Sequence, residues 1–152
     1  MSNLSASRDG ANPIRVFVIN DSQVFVDALG RFLDDEPDIQ LVGAEVGLME
    51  ALPLVQAVQP ELVLIDPEPH DRVIGKAVRE LRTRLPRVGI IVLTLHVDLK
   101  HREVAIAAGA DDFVDKYAAS ADLLDSIRRI ASLISAADGR SAARPGPTPG
   151  QG

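Results

Sequence analysis

The chain has 152 residues, 46% of them apolar and 25% charged, with a formal net charge of −6 and no cysteine. That length is about one domain, the composition excludes a wholly disordered or collagen-like chain, and the missing thiols exclude disulfides, thiolate nucleophiles and Cys-type zinc sites. The negative charge suits neither nucleic acid nor an anionic membrane, and no apolar run approaches the ~20 residues that span a bilayer. With no apolar leader near the N-terminus, the expected location is cytoplasmic.

Residues 1–13 are polar, carry no periodic pattern and read as a disordered tail. The packed domain is expected over 14–135. Within it, apolar run 16–19 predicts a first strand. A stripe of Val24, Phe25, Ala28, Leu29, Phe32 and Leu33 at helical spacing follows. A weaker strand is expected over 39–42, then a helix over 48–58 in which Pro53 is tolerable only near the start. Run 62–65 predicts a buried strand, and Ile74, Ala77, Val78, Leu81 and Leu85 mark the next helix. A strand over 90–93 precedes a helix from about 98 to 108, stopped by Gly109 at its C′ position. A short strand at 113–114 leads to a last helix striped by Leu123, Ile127, Ile130 and Ile134. Residues 136–152, rich in Pro and Gly at their end, read as a tail or linker. Alternating strands and helices imply an α/β fold, a parallel sheet with right-handed crossovers and helices on both faces.

In such a sheet, ligands gather at the carboxyl ends of the strands. The first strand exits into Asn20 and Asp21, the third into Asp66, the fourth into Thr94 and the fifth into Lys116. Two carboxylates, a hydroxyl and an ammonium on one rim form a candidate site for a hard cation and a phosphoryl group. No glycine-rich phosphate loop and no nucleophilic serine elbow competes with it. The three histidines lack metal-ligand spacing. The arginines 79, 82, 84 and 87 read as a solvated helix face.

The stretches IRVFVIND, FLDDEPDIQLVGAE, QPELVLID, RLPRVGIIVLTLH and AGADDFVDK, in that order and spacing, resemble the receiver domains of two-component response regulators. The likeness is nearest to receivers that precede helix-turn-helix outputs of the NarL/FixJ type. It implies a flavodoxin-like, doubly wound, five-stranded parallel sheet in the order 2-1-3-4-5. It also implies that Asp66 is the phospho-acceptor, and that Asp21, Asp66 and the backbone carbonyl of Glu68 hold Mg²⁺. By the same resemblance, Thr94 and Lys116 bind the phosphoryl group, Phe113 is the aromatic switch position, and a sensor histidine kinase is the partner. Dimerisation through the last helix carries over by analogy only. The resemblance implies a signalling phospho-acceptor rather than an enzyme with a separate product, and no DNA binding by this chain itself.

Two departures stand out. Asn20 replaces the first of two adjacent acids, so weaker Mg²⁺ binding is expected. The loop after Asp66 reads Pro67-Glu68-Pro69-His70-Asp71-Arg72, and its two prolines remove backbone N–H groups near the acceptor. These favour a rival reading, a degenerate receiver acting as a phosphorylation-independent interaction module. A third reading makes the chain the N-terminal part of a LuxR/NarL-type transcription regulator.

Overall fold

The computed structural model describes residues 12–66, 71–94, 99–116 and 120–143. Five strands and five helices alternate: β1 (Ile14–Ile19), α1 (Gln23–Asp34), β2 (Ile39–Glu45), α2 (Leu48–Val58), β3 (Leu62–Ile65), α3 (Asp71–Arg84), β4 (Gly89–Thr94), α4 (Leu99–Ala108), β5 (Asp112–Asp115) and α5 (Ser120–Ala143). The strands form one sheet in the order β2-β1-β3-β4-β5, with every pairing parallel. This is the flavodoxin-like α/β order that the resemblance implies.

Successive strand side chains point to opposite faces, and the sheet uses both. Phe17, Ile19, Val63, Ile65, Ile90, Val92 and Phe113 pack with residues of α2, α3 and α4 on one face. Ile14, Val16, Val18, Leu62, Leu64, Ile91, Leu93 and Val114 pack with α1 and α5 on the other. Strands buried on both sides favour apolar residues, which is why β3 and residues 90–93 of β4 are unbroken aliphatic runs. Each such Leu or Ile taken fully from water contributes about 1.5–3 kcal/mol.

Local signals place the helices. The Ser22 side chain caps α1, its oxygen accepting the Phe25 N–H at 3.2 Å. Gly109 ends α4 with a φ of +122°, a conformation that disfavours a side chain. Gln59 ends α2 in the left-handed region. Pro53 sits inside α2 within its first two turns, costing the helix one backbone bond.

Three expectations change. Val24 is 79% exposed while Val26 is buried, so the core stripe of α1 is Val26, Leu29 and Leu33. With apolar residues at 24, 25 and 26, composition leaves the phase of the helix open, and packing decides it. The last helix continues to Ala143, past the expected domain edge at 135. Four alanines in that extension, the strongest helix formers, support it.

The third change concerns Arg82. It donates to the carbonyls of Gly109 (3.2 and 2.8 Å), Pro86 (3.0 Å) and Val88 (2.6 Å), and pairs with Asp111 at 2.9 Å. Asp111 also accepts the Ile90 N–H at 2.9 Å. Arg82 is therefore a structural clamp tying the end of α3 to the starts of β4 and β5, not part of a solvated face. On the sheet's other side Arg128 of α5 grips Asp38 through two bonds of 2.8 and 2.9 Å, and Glu36 at 2.7 Å. The hydrogen bonds it donates to Asp38 and Glu36 raise its guanidinium pKa, against the opposing effect of burial.

Candidate functional site

The ladder of backbone hydrogen bonds continues one residue beyond the strands and registers the rim. The Asn20 N–H donates to the Glu45 carbonyl at 3.0 Å, the Asp66 N–H to Ile19 at 3.0 Å, and the Lys116 N–H to Thr94 at 2.8 Å. Asn20, Asp66 and Lys116 thus follow strand ends held in fixed register, and Thr94 closes β4. Their side chains inherit the precision of the sheet.

Asp66 lies at the centre. Its side chain is 3% exposed, and its Oδ2 is paired with the Lys116 ammonium, itself 13% exposed. The same Oδ2 accepts a hydrogen bond of 2.8 Å from the Asn20 amide nitrogen. The Asn20 amide oxygen accepts the Ser22 N–H at 2.7 Å. These partners fix the amide's orientation, because a backbone N–H needs an acceptor and a carboxylate needs a donor. A buried carboxylate is costly unless paired and hydrogen-bonded, and here it is both. The Lys116 ammonium also sits 4.5 Å from the centroid of the Phe25 ring.

The structure places the expected residues as follows. Asn20, Asp66 and Lys116 meet directly. Thr94 is buried at the end of the adjoining strand, joined to Lys116 through its backbone carbonyl. Asp21 is exposed beside Asn20, and the residue after it, Ser22, is the cap of α1. Phe113 is buried in the cluster that joins the sheet to α2, α3 and α4. Glu68, His70 and His96 lie outside the described residues. Two partners escaped the sequence reading. Ser22 orients the Asn20 amide, and Phe25 was read as core stripe alone. Only the fold brings Phe25 to Lys116, and no local motif signals it.

Among the described residues no group of three or more His, Cys, Asp or Glu side chains is placed to hold a metal. The donor chemistry still fits one hard cation, with the Asp66 carboxylate at the base of the rim and the exposed Asp21 carboxylate next to Asn20 in the chain. The lower charge of this set, with Asn20 bonded to protein groups at both ends of its amide, fits a weaker site.

Residues 16–128 match the family model of the response regulator receiver domain. The response regulator protein VraR of Staphylococcus aureus is 25% identical over 116 residues, covering 76% of this chain and 56% of that protein. The chain spans about half the length of the curated relatives it matches. Among solved structures, the signal receiver domain of the response regulator NarL from Mycobacterium tuberculosis superposes with a TM-score of 0.69 at 22% identity, covering 79% of this chain and 97% of that one. A LuxR-family two-component response regulator from Aurantimonas sp. SI85-9A1 gives 0.72 at 23% identity, covering 80% and 86%. At those identities the solved structures speak for the fold. No helix among the described residues is long and apolar enough to cross a membrane.

Proposed function

Because the chain belongs to the response regulator receiver domain family, we propose that Asp66 accepts a phosphoryl group from a sensor histidine kinase and that the rim around it is the switch. The observation that carries this reading is the buried Asp66–Lys116 pair at the carboxyl ends of β3 and β5. A buried carboxylate on a rigid rim, next to a cation that can transfer its contact to a phosphoryl oxygen, is preorganised for phosphoryl transfer.

An Asp66 oxygen attacks the phosphorus of the phosphohistidine. The O–P bond forms as the P–N bond breaks, and the imidazole nitrogen leaves with the electron pair and takes a proton from solvent. Lys116 moves its contact from Oδ2 to a phosphoryl oxygen. The Thr94 hydroxyl donates to another, which draws the end of β4 inward. Phe113 then follows from the core side, giving the local charge change a packing readout. Receiver domains in general bind Mg²⁺ at the phosphorylation site. In this chain Asp21, Asp66 and the Glu68 carbonyl would hold the ion, whose role is to neutralise charge on the transferring group. The product stays on the protein, so the domain signals rather than turning over a released product.

The LuxR-type relatives and the half-length match support an output carried by a longer protein, with DNA binding located outside this chain. Self-association through α5 belongs to the same proposal. The Asn20–Asp66 bond favours a second reading, an interaction module that never uses phosphate, because with Lys116 it satisfies the Asp66 carboxylate from the protein's own side chains. Acetyl phosphate with millimolar Mg²⁺, followed by intact mass, separates the two. One phosphoryl group on the wild type and none on Asp66→Asn supports the switch. An unmodified wild type, also unresponsive to beryllofluoride by NMR, leaves the module.

A further inference from the structure

The ammonium of Lys116 has two neighbours of different kind. One is the Asp66 carboxylate; the other is the face of Phe25, 4.5 Å from nitrogen to ring centroid. Phe25 is only half-buried and stands in the first turn of α1, where the Ser22 cap fixes the helix start. Its ring is therefore held by a capped helix, while the lysine is held by β5. The backbone at both positions is fixed by the fold, through the Ser22 cap and the Lys116 N–H bond to the Thr94 carbonyl.

We propose that Phe25 is a positioning residue of the site, its ring holding the Lys116 ammonium at the carboxylate of Asp66. A lysine stem has four rotatable bonds, and an ammonium bound only to the acceptor would be released as the acceptor's charge is redistributed during transfer. The ring's negative face attracts a cation whatever the state of Asp66. It keeps the ammonium within reach through the handover from carboxylate to phosphoryl oxygen. The Asn20 amide complements this by donating to the same Oδ2. An aliphatic residue at 25 would fill the same space in the core against which Phe25 packs, but would offer the cation nothing.

This inference rests on the phospho-acceptor reading for its kinetic consequence and not for its geometry, so two measurements are made on the full chain. The first uses no phosphate or metal. In the wild type the Lys116 ε-methylene protons are expected upfield of solvated lysines through the ring current of Phe25. Phe25→Leu removes the displacement and Phe25→Tyr keeps it. The second is the rate of Asp66 phosphorylation by acetyl phosphate in Mg²⁺. A cation–π contact of about 0.5–2 kcal/mol predicts a roughly two- to thirtyfold slowing in Phe25→Leu and a near wild-type rate in Phe25→Tyr. Should Phe25→Leu not fold, Phe25→Met serves in its place. An undisplaced Lys116 in the wild type overturns the proposal, as does a Phe25→Leu rate equal to wild type. A wild type that takes no phosphoryl group defeats the acceptor reading, and the ring-current result then decides the placement of Phe25 by itself.

Discussion

Replacing Asn20 by Asp restores the acid that receivers usually carry, and the structure sets what that costs. The amide nitrogen of Asn20 donates to Asp66 Oδ2 at 2.8 Å in a buried setting. In Asn20→Asp an acceptor faces an acceptor, with the two charge centres about 4 Å apart. At an effective dielectric constant near 20, like charges at that distance repel by about 4 kcal/mol. Lys116, paired with the same Oδ2, offsets part of this, and the expected net loss without a divalent cation is about 2–3 kcal/mol. For a domain of this size each kcal/mol lowers the melting temperature by roughly 3–5 °C. Mg²⁺ reverses the sign, because the added charge that destabilises the empty rim strengthens cation binding. At an ion concentration ten times Kd, binding returns about 1.4 kcal/mol. Thermal unfolding of both proteins in EDTA and across a Mg²⁺ titration makes the comparison. The variant is expected to melt lower than wild type in EDTA, regain much of the difference in Mg²⁺, and bind Mg²⁺ more tightly. Equal melting in EDTA would show that the Asn20–Asp66 bond contributes nothing, and an unchanged Mg²⁺ affinity would remove Asn20 from the cation's surroundings.

Two further substitutions probe the frame that holds the rim. A Cβ at Gly89 would lie 2.2 Å from Leu62 Cδ2, 2.8 Å from Ile130 Cγ2 and 3.0 Å from Ile134 Cδ1. Gly89→Ala is therefore expected to cost about 2 kcal/mol in urea unfolding, less in combination with Leu62→Val, and additivity of the two would refute the clash. Arg82→Ala strands the Gly109, Pro86 and Val88 carbonyls and Asp111, with an expected loss of about 2–3 kcal/mol. Its amide exchange should quicken first at Ile90, whose N–H is held by Asp111; a uniform change across the domain would argue against a local clamp.

What was legible in the sequence follows from how each feature is encoded. Strands β3 and β4 announce themselves through the aliphatic runs 62–65 and 90–93 that burial on both faces selects, and Asp66 and Thr94 are found simply by reading the position after each run. The Ile74, Ala77, Val78, Leu81 and Leu85 stripe of α3 is buried throughout, since polar residues between its members fix the phase. In α1 three adjacent apolar residues leave the phase ambiguous by a full helical step, and Val24 faces outward as a result. Arg82 resembled its arginine neighbours because charge patterning records residue type and not the carbonyls that a fold brings near. The Asn20–Asp66 and Phe25–Lys116 contacts join distant parts of the chain, so spacing carries no trace of them.

The departure at Asn20 reads differently once its partners are known. As a missing acid it is a loss, one charge fewer for a cation. In the structure it is also a donor where an acid could only accept, and that donor faces the most buried carboxylate of the rim. A site with two acids is repulsive until a cation arrives, so metal and phosphoryl group must act together. With Asn20, Lys116 and Phe25 the resting carboxylate is already compensated. Under the proposed phosphoryl transfer, the free-energy gain on binding a cation would be correspondingly smaller, and the transfer step would lean more on the lysine. On that proposal the same substitution would weaken the metal and raise the demand on the ammonium's position, which ties Phe25 and Asn20 into one arrangement.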